Sequence, residues 1–209
     1  MAATVMIAGA LLEFAAWWAV SWKGLSIWVA MGVALPAMGI AALVVGEPSL
    51  SPAVSAGRAV AAGAGAGVAL YLATRLFVAA IRPWPACQRH SVQMYARQAG
   101  LPLALAVVLA AAVMAPSEEL FWRGLFQVKL GDVLDGQTAG AALAWAAFAV
   151  ANLPSRNLAI IAGAVVGGAV WAALAWWTGG VLASIVCHSL WTALMLAFPV
   201  VRAPFSGRT

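Results

Sequence analysis

Charge is what this chain has least of. Asp, Glu, Lys and Arg make up only 8% of its 209 residues, against 65% hydrophobic, where soluble domains carry about a quarter charged. That composition excludes an ordinary water-soluble globule and points to a membrane protein. Cysteine and histidine are as scarce, with two of each. Two cysteines make no disulfide framework, and Cys187, inside an apolar run, reads as a small core residue. Cys87 and His90 form a C-x-x-H in a basic loop. With so few ligands and no H-E-x-x-H, no structural zinc is expected. The net charge of +5 comes from basic residues dispersed between apolar runs. These read as topology signals, not as a nucleic-acid surface.

Long apolar runs are what the chain has in abundance. Seven segments are each long enough to cross about 30 Å of hydrocarbon as helices: about 5–22, 25–45, 58–80, 101–128, 137–153, 157–177 and 180–198. Helix is the only choice for such runs, because lipid offers no partner to an unpaired backbone group. The N-terminal run lacks a basic n-region and a small-residue cleavage site, so it reads as the first span. The expected architecture is all-α, a polytopic transmembrane bundle, with residues 1–209 as one integral membrane domain. No internal repeat is evident. "GAGAG" at 63–67 and Gly163-x-x-x-Gly167 offer small faces for close helix contact, inside the bundle or between copies.

Sidedness follows from Lys and Arg. With the N-terminus outside, the cytoplasmic segments hold Lys23, Arg82, Arg89, Arg97, Arg156, Arg202 and Arg208. The opposite side keeps Arg58 and Lys129 with Glu47, Asp132 and Asp135. That bias favours a cytoplasmic C-terminus. It also sets the charged end of the fourth span on the non-cytoplasmic face.

Ionisable groups at membrane depth imply a partner and a reason to be there. Glu13, Arg75, the stretch "APSEELFWRG" at 115–124 and His188 qualify. Pro116 predicts a kink or a division of the fourth span. Glu119 and Arg123, four apart, predict an ion pair on one helical face. Glu118, rotated about 100 degrees away, is left for chemistry as a general base. The competing reading is an interfacial helix end whose charges meet headgroups and water. His188 is either a hydrogen-bonded packing residue or part of a site, with Thr192 one turn on along the same face. Asn152, four residues after Phe148, ends the fifth span. Glu13 needs a partner, and Arg75 is one candidate. Trp122 and Trp191 flank the site, as packing residues or as walls of a substrate groove.

"EELFWR" fits an E-E-x-x-x-R signature, "FAVANLP" is similar to F-x-x-x-H followed by Leu-Pro, and "TGGVLASIVCHSLWT" resembles a stretch carrying H-x-x-x-N/D. Together, over about residues 101–198, they resemble the CPBP glutamic intramembrane proteases, the Abi or CAAX-protease family. The resemblance implies that Glu118 activates a water for attack on a peptide carbonyl. It implies that Glu119 and Arg123 support the site, and that His188 stabilises the oxyanion. Two positions depart from the pattern: Asn152 stands where the water-activating histidine belongs, and Thr192 where Asn or Asp belongs. An amide can hold a water but cannot take its proton.

The expected function is therefore an intramembrane peptidase, without metal or organic cofactor. Its partners would be the bilayer and a membrane-associated or exported peptide, such as a C-terminal sorting signal or leader peptide. The expected home is a bacterial inner membrane. One rival is an impaired member that binds a peptide or partner helix as an immunity or scaffold protein, which Asn152 favours. A second is a small proton-coupled transporter, which the lack of paired repeats disfavours.

Overall fold

The computed structural model describes residues 1–81, 83–98 and 100–201, so Arg82, Arg202 and Arg208 of the topology argument lie outside the described residues. Among those described, every regular element is helical. Eight helices follow in order: α1 Ala2–Trp22, α2 Ile27–Gly46, α3 Ala56–Ala80, α4 Pro85–Arg97, α5 Leu103–Val133, α6 Gln137–Ala151, α7 Leu158–Thr178 and α8 Leu182–Ala197. All seven expected segments are present as helices. Five of them, α1, α2, α3, α5 and α7, are long and apolar enough to cross a membrane, and α8 is a shorter apolar helix.

The outward faces are aliphatic. Leu11, Val44 and Leu76 are 62%, 74% and 73% exposed, a surface that water would not tolerate over such an area but lipid accepts. Acyl chains are as apolar as leucine, so the bundle is held by close packing and interhelical hydrogen bonds. Gly63 and Gly67 of "GAGAG" do this work within the bundle. A Cβ on Gly63 would stand 2.5 Å from the Ala183 carbonyl oxygen, and one on Gly67 would stand 2.9 Å from that of Cys187. α3 thus lies directly on α8, the helix that carries His188.

At Pro116 the fourth span is not divided. The proline neither ends the helix nor divides it, and α5 runs unbroken for 31 residues. A proline removes the N–H that would bond the carbonyl one turn back. Here the chain answers with π-wound turns at Val108–Met114 and Leu120–Gln127 on either side of an α-wound Ala115–Glu119. Such wide turns occur at functional positions in helices.

The connection at 81–100 holds a helix that periodicity did not signal. α4 is short and largely polar, and Pro85 sits in its first turn, where a missing N–H costs nothing. Its Tyr95 hydroxyl donates to the Met195 carbonyl at 3.2 Å, and burial pushes that phenol up to about 12. His90 is engaged in architecture: its Nδ1 accepts from the backbone N–H of Leu158 at 3.3 Å.

The connections sort into two ends. At one, Ser21 donates to the Ser155 carbonyl, Arg97 to the same oxygen, and Trp28 to the Gln98 carbonyl. Lys23, Arg89, Arg97 and Arg156 belong to this basic end. At the other, Val181 and Leu182 donate backbone N–H groups to Ser49 and Leu50. The grouping of loops matches the alternation read from the sequence.

Candidate active site

Glu118 and Glu119 project from the α-wound turn of α5 that the two π-wound segments bracket. Arg123 Nη1 donates to Glu119 Oε1 at 3.1 Å, the ion pair expected from the spacing. Its Nη2 donates to the Gly168 carbonyl of α7 at 3.2 Å, and the guanidinium lies 4.5 Å from the Phe148 ring centre. His188 Nδ1 reaches Glu119 Oε1 as well, at 2.9 Å, and stands 3.7 Å from Glu118 Oε2. Glu119 is fully buried, whereas Glu118 keeps 9% exposure. One glutamate is thus fixed by two cationic or N–H partners while its neighbour faces open space.

The His188 ring is stacked on the Trp171 indole, with centroids 3.6 Å apart and planes 14° from parallel. That stacking and the bond to Glu119 leave the ring little freedom. A carboxylate can only accept, so against ionised Glu119 the proton lies on Nδ1, and Nε2 is the other nitrogen.

Asn152 closes the C-terminal end of α6. Its Nδ2 donates to Glu13 Oε1 at 2.8 Å and to the Phe148 carbonyl at 3.0 Å. Glu13, with no exposure at all, accepts on its other oxygen from Trp122 Nε1 at 2.7 Å. The Glu13–Arg75 pairing considered from the sequence is not formed. Two N–H donors hold Glu13 inside the bundle, while Arg75 donates to the hydroxyl of its own helix neighbour Tyr71 at 3.2 Å.

Glu118, Asn152, His188 and Thr192 all line one cavity of about 180 Å³, with Phe148 and Trp191. Trp122 does not line it; the indole lies behind the wall because Glu13 draws its N–H inward. Most of the remaining lining is apolar, including Met31, Met114 and Met195, and Gln98 adds one amide. The lining reaches Ile27, Met94 and Gln98, which belong to the basic end. Glu118 sits at mid-length of α5, so the cavity beside it leads toward the basic end and not the acidic one. A second cavity of about 260 Å³, lined by Glu47, Gln127 and Gln137 among others, lies at that opposite end behind Arg123. No group of three His, Cys, Asp or Glu among the described residues is placed to hold a metal ion.

Glu13 is the site neighbour that motif reasoning did not place. Its signal was present, since a lone carboxylate in an apolar helix demands a donor. Nothing in the sequence said that the donors were Trp122 and Asn152, more than a hundred residues on.

An aliphatic-faced helical bundle enclosing three carboxyls, an arginine and a histidine beside a cavity defines a polytopic membrane protein with a buried polar site. Residues 100–194 match the family described as type II CAAX prenyl endopeptidase Rce1-like, within the CPBP group, whose members are intramembrane endopeptidases. The match spans just under half of the chain. It takes in Glu118, Asn152, His188 and Thr192 and leaves out α1 to α4, and with them Glu13. No curated protein and no solved structure matches the chain.

Proposed function

We propose that this protein is an intramembrane endopeptidase in which Glu118 activates a water for attack on a peptide carbonyl. The observation that carries the reading is the division between adjacent carboxyls. Glu119 is held by Arg123 and His188, and Glu118 faces the cavity.

In the proposed reaction Glu118 takes a proton from water as the water oxygen bonds to the carbonyl carbon. The carbonyl electron pair moves onto oxygen. Asn152 has its Nδ2 engaged by Glu13 and Phe148, so Oδ1 is the atom left to hold a water hydrogen. The developing oxyanion is met by Thr192 Oγ1 and by His188 Nε2. Donation from Nε2 requires the doubly protonated ring, because Nδ1 already donates to Glu119. As the oxyanion electron pair returns to re-form the carbonyl, the C–N bond breaks and the proton passes from the glutamate to the leaving nitrogen. Glu119 and Arg123 set the position of His188 and of the turn that carries Glu118.

The substrate in this reading is a short apolar peptide segment at the membrane surface, entering from the basic end. The positive-inside bias makes that end cytoplasmic in a bacterial inner membrane. This shifts the favoured source from an exported peptide to a membrane-tethered chain on the cytoplasmic side. Residues 1–209 act as one membrane domain. A quenched fluorescent peptide ending in a farnesylated CAAX tail, offered to the protein in lipid nanodiscs beside an unprenylated apolar peptide, tests the reading. Hydrolysis of either supports it, and a fully folded protein that cuts neither contradicts it. The non-catalytic binding alternative rests on Asn152, which cannot take a proton, and predicts retention of the peptide without cleavage.

A further inference from the structure

An asparagine amide has a donor end and an acceptor end of nearly equal shape, and its hydrogen-bond partners decide which end faces a cavity. At position 152 the donor end is turned away. Asn152 Nδ2 donates to Glu13 Oε1 at 2.8 Å and to the Phe148 carbonyl at 3.0 Å. Among the described residues no donor is directed at Oδ1, and Asn152 lines the cavity together with Glu118.

The Phe148 carbonyl belongs to α6 itself, one turn back, so it is a local partner. Glu13 is the distant one, brought from α1. Its side chain is wholly buried, and its other oxygen accepts from Trp122 Nε1 at 2.7 Å. An indole N–H can only donate, so one atom of the group at position 13 is committed to Trp122. The second atom must also accept if Asn152 is to keep its donor end turned inward. A carboxyl meets both demands, whereas an amide of the same size meets one. A carboxyl at membrane depth is costly to keep without such a purpose.

We propose that Glu13, on the first helix and outside the family-matched segment, is a positioning residue that fixes the Asn152 amide with its acceptor oxygen toward the cavity. Position 152 then presents a permanent acceptor that neither gains nor loses a proton. What it holds is an O–H, that of the hydrolytic water, and the inference rests there on the reading of Glu118 as the base. Glu13 is assigned no contact with substrate, because it does not line the cavity.

Glu13→Gln is the informative change. Trp122 claims the oxygen of the introduced amide, whose NH2 then meets the NH2 of Asn152. Two donors make no bond, so Asn152 either turns its amide or gives up the contact. In both cases Oδ1 is no longer held in place.

The first test needs no substrate. The chain has two asparagines, Asn152 and Asn157, so 15N labelling of asparagine gives two side-chain amides in solid-state NMR spectra of the protein in lipid bilayers. Asn157 donates to the His90 carbonyl at 2.8 Å and serves as the reference. In the wild type both Nδ2 hydrogens of Asn152 are expected downfield and slow to exchange with D2O. Glu13→Gln moves the Asn152 resonances toward free-amide values and leaves those of Asn157 in place. Should Glu13→Gln not fold, Glu13→Asp, which draws the carboxyl back by one methylene, must move them too. Free-amide values for Asn152 in the wild type overturn the assignment. So do Asn152 resonances that the Glu13 variant leaves unmoved, or equal displacement of both amides.

Cleavage of the farnesylated CAAX peptide gives the second readout. Asn152→Ala and Glu13→Gln each lower kcat by roughly a hundredfold, the effect of a misplaced water, with KM little changed. Because Glu13 acts through Asn152, adding Glu13→Gln to Asn152→Ala lowers kcat by no more than about twofold further. Losses that multiply in the double variant overturn the positioning role. Cleavage by Glu118→Gln at the wild-type rate would instead refute the water-activating base, and the NMR spectra report on the Asn152 amide separately.

Discussion

Glu119 and His188 meet at 2.9 Å, and the same carboxyl oxygen receives Arg123 at 3.1 Å. One buried atom therefore ties α5 to α8, and Arg123 extends the tie to the Gly168 carbonyl of α7. Removing Glu119 leaves a fully enclosed guanidinium without its counter-charge. Glu119→Ala is expected to cost about 3–5 kcal/mol of stability, read as a fall in thermal midpoint in nanodiscs. A midpoint equal to wild type would show that the bundle does not depend on this tie.

His188 is placed by that tie and by stacking on Trp171, with its second nitrogen as the candidate oxyanion donor. His188→Gln should lower kcat by ~10²–10³ with KM nearly unchanged, because the donor acts on the charge that appears only in the transition state. Steady-state kinetics on the farnesylated CAAX peptide separate the two constants. A change confined to KM would assign His188 to binding.

Asn157 joins architecture to the cavity. Its Oδ1 accepts from the backbone N–H groups of Ala159 and Ile160, capping α7, and its Nδ2 donates to the His90 carbonyl of α4 at 2.8 Å. α4 supplies Met94 and Gln98 to the cavity wall. Asn157→Ala should cost about 1 kcal/mol through the lost cap and raise KM while leaving kcat largely intact. Unchanged KM would show that α4 does not shape the entrance.

The close approach of α3 to α8 gives a matched pair of variants. A side chain at Gly67 meets the Cys187 backbone oxygen at 2.9 Å, whereas one at Gly65 meets nothing within 4 Å. Gly67→Val should destabilise by about 1–3 kcal/mol and lower kcat by shifting His188, the residue after Cys187. Gly65→Val should do neither. Equal behaviour of the two would remove helix spacing from the account.

How far the sequence reached into this site depended on the range of each interaction. The Glu119–Arg123 pair was legible because both partners lie on one helix, four residues apart. Seven apolar segments were legible because lipid leaves helix as the only solution for such runs. Pro116 signalled a disturbance, but its resolution into wide turns without a break depends on how α5 packs against its neighbours. α4 escaped because a short polar helix has no apolar period to read. Glu13 was flagged as needing a donor, yet its donors, Trp122 and Asn152, come from helices whose contact with α1 no local pattern encodes.

The central claim is that Glu118 activates the hydrolytic water. Its most direct test is cleavage of the quenched farnesylated CAAX peptide by wild type and Glu118→Gln in nanodiscs, with circular dichroism and thermal midpoint confirming that both are folded. The account predicts hydrolysis by wild type and none by a folded Glu118→Gln, and turnover by Glu118→Gln at the wild-type rate would contradict it.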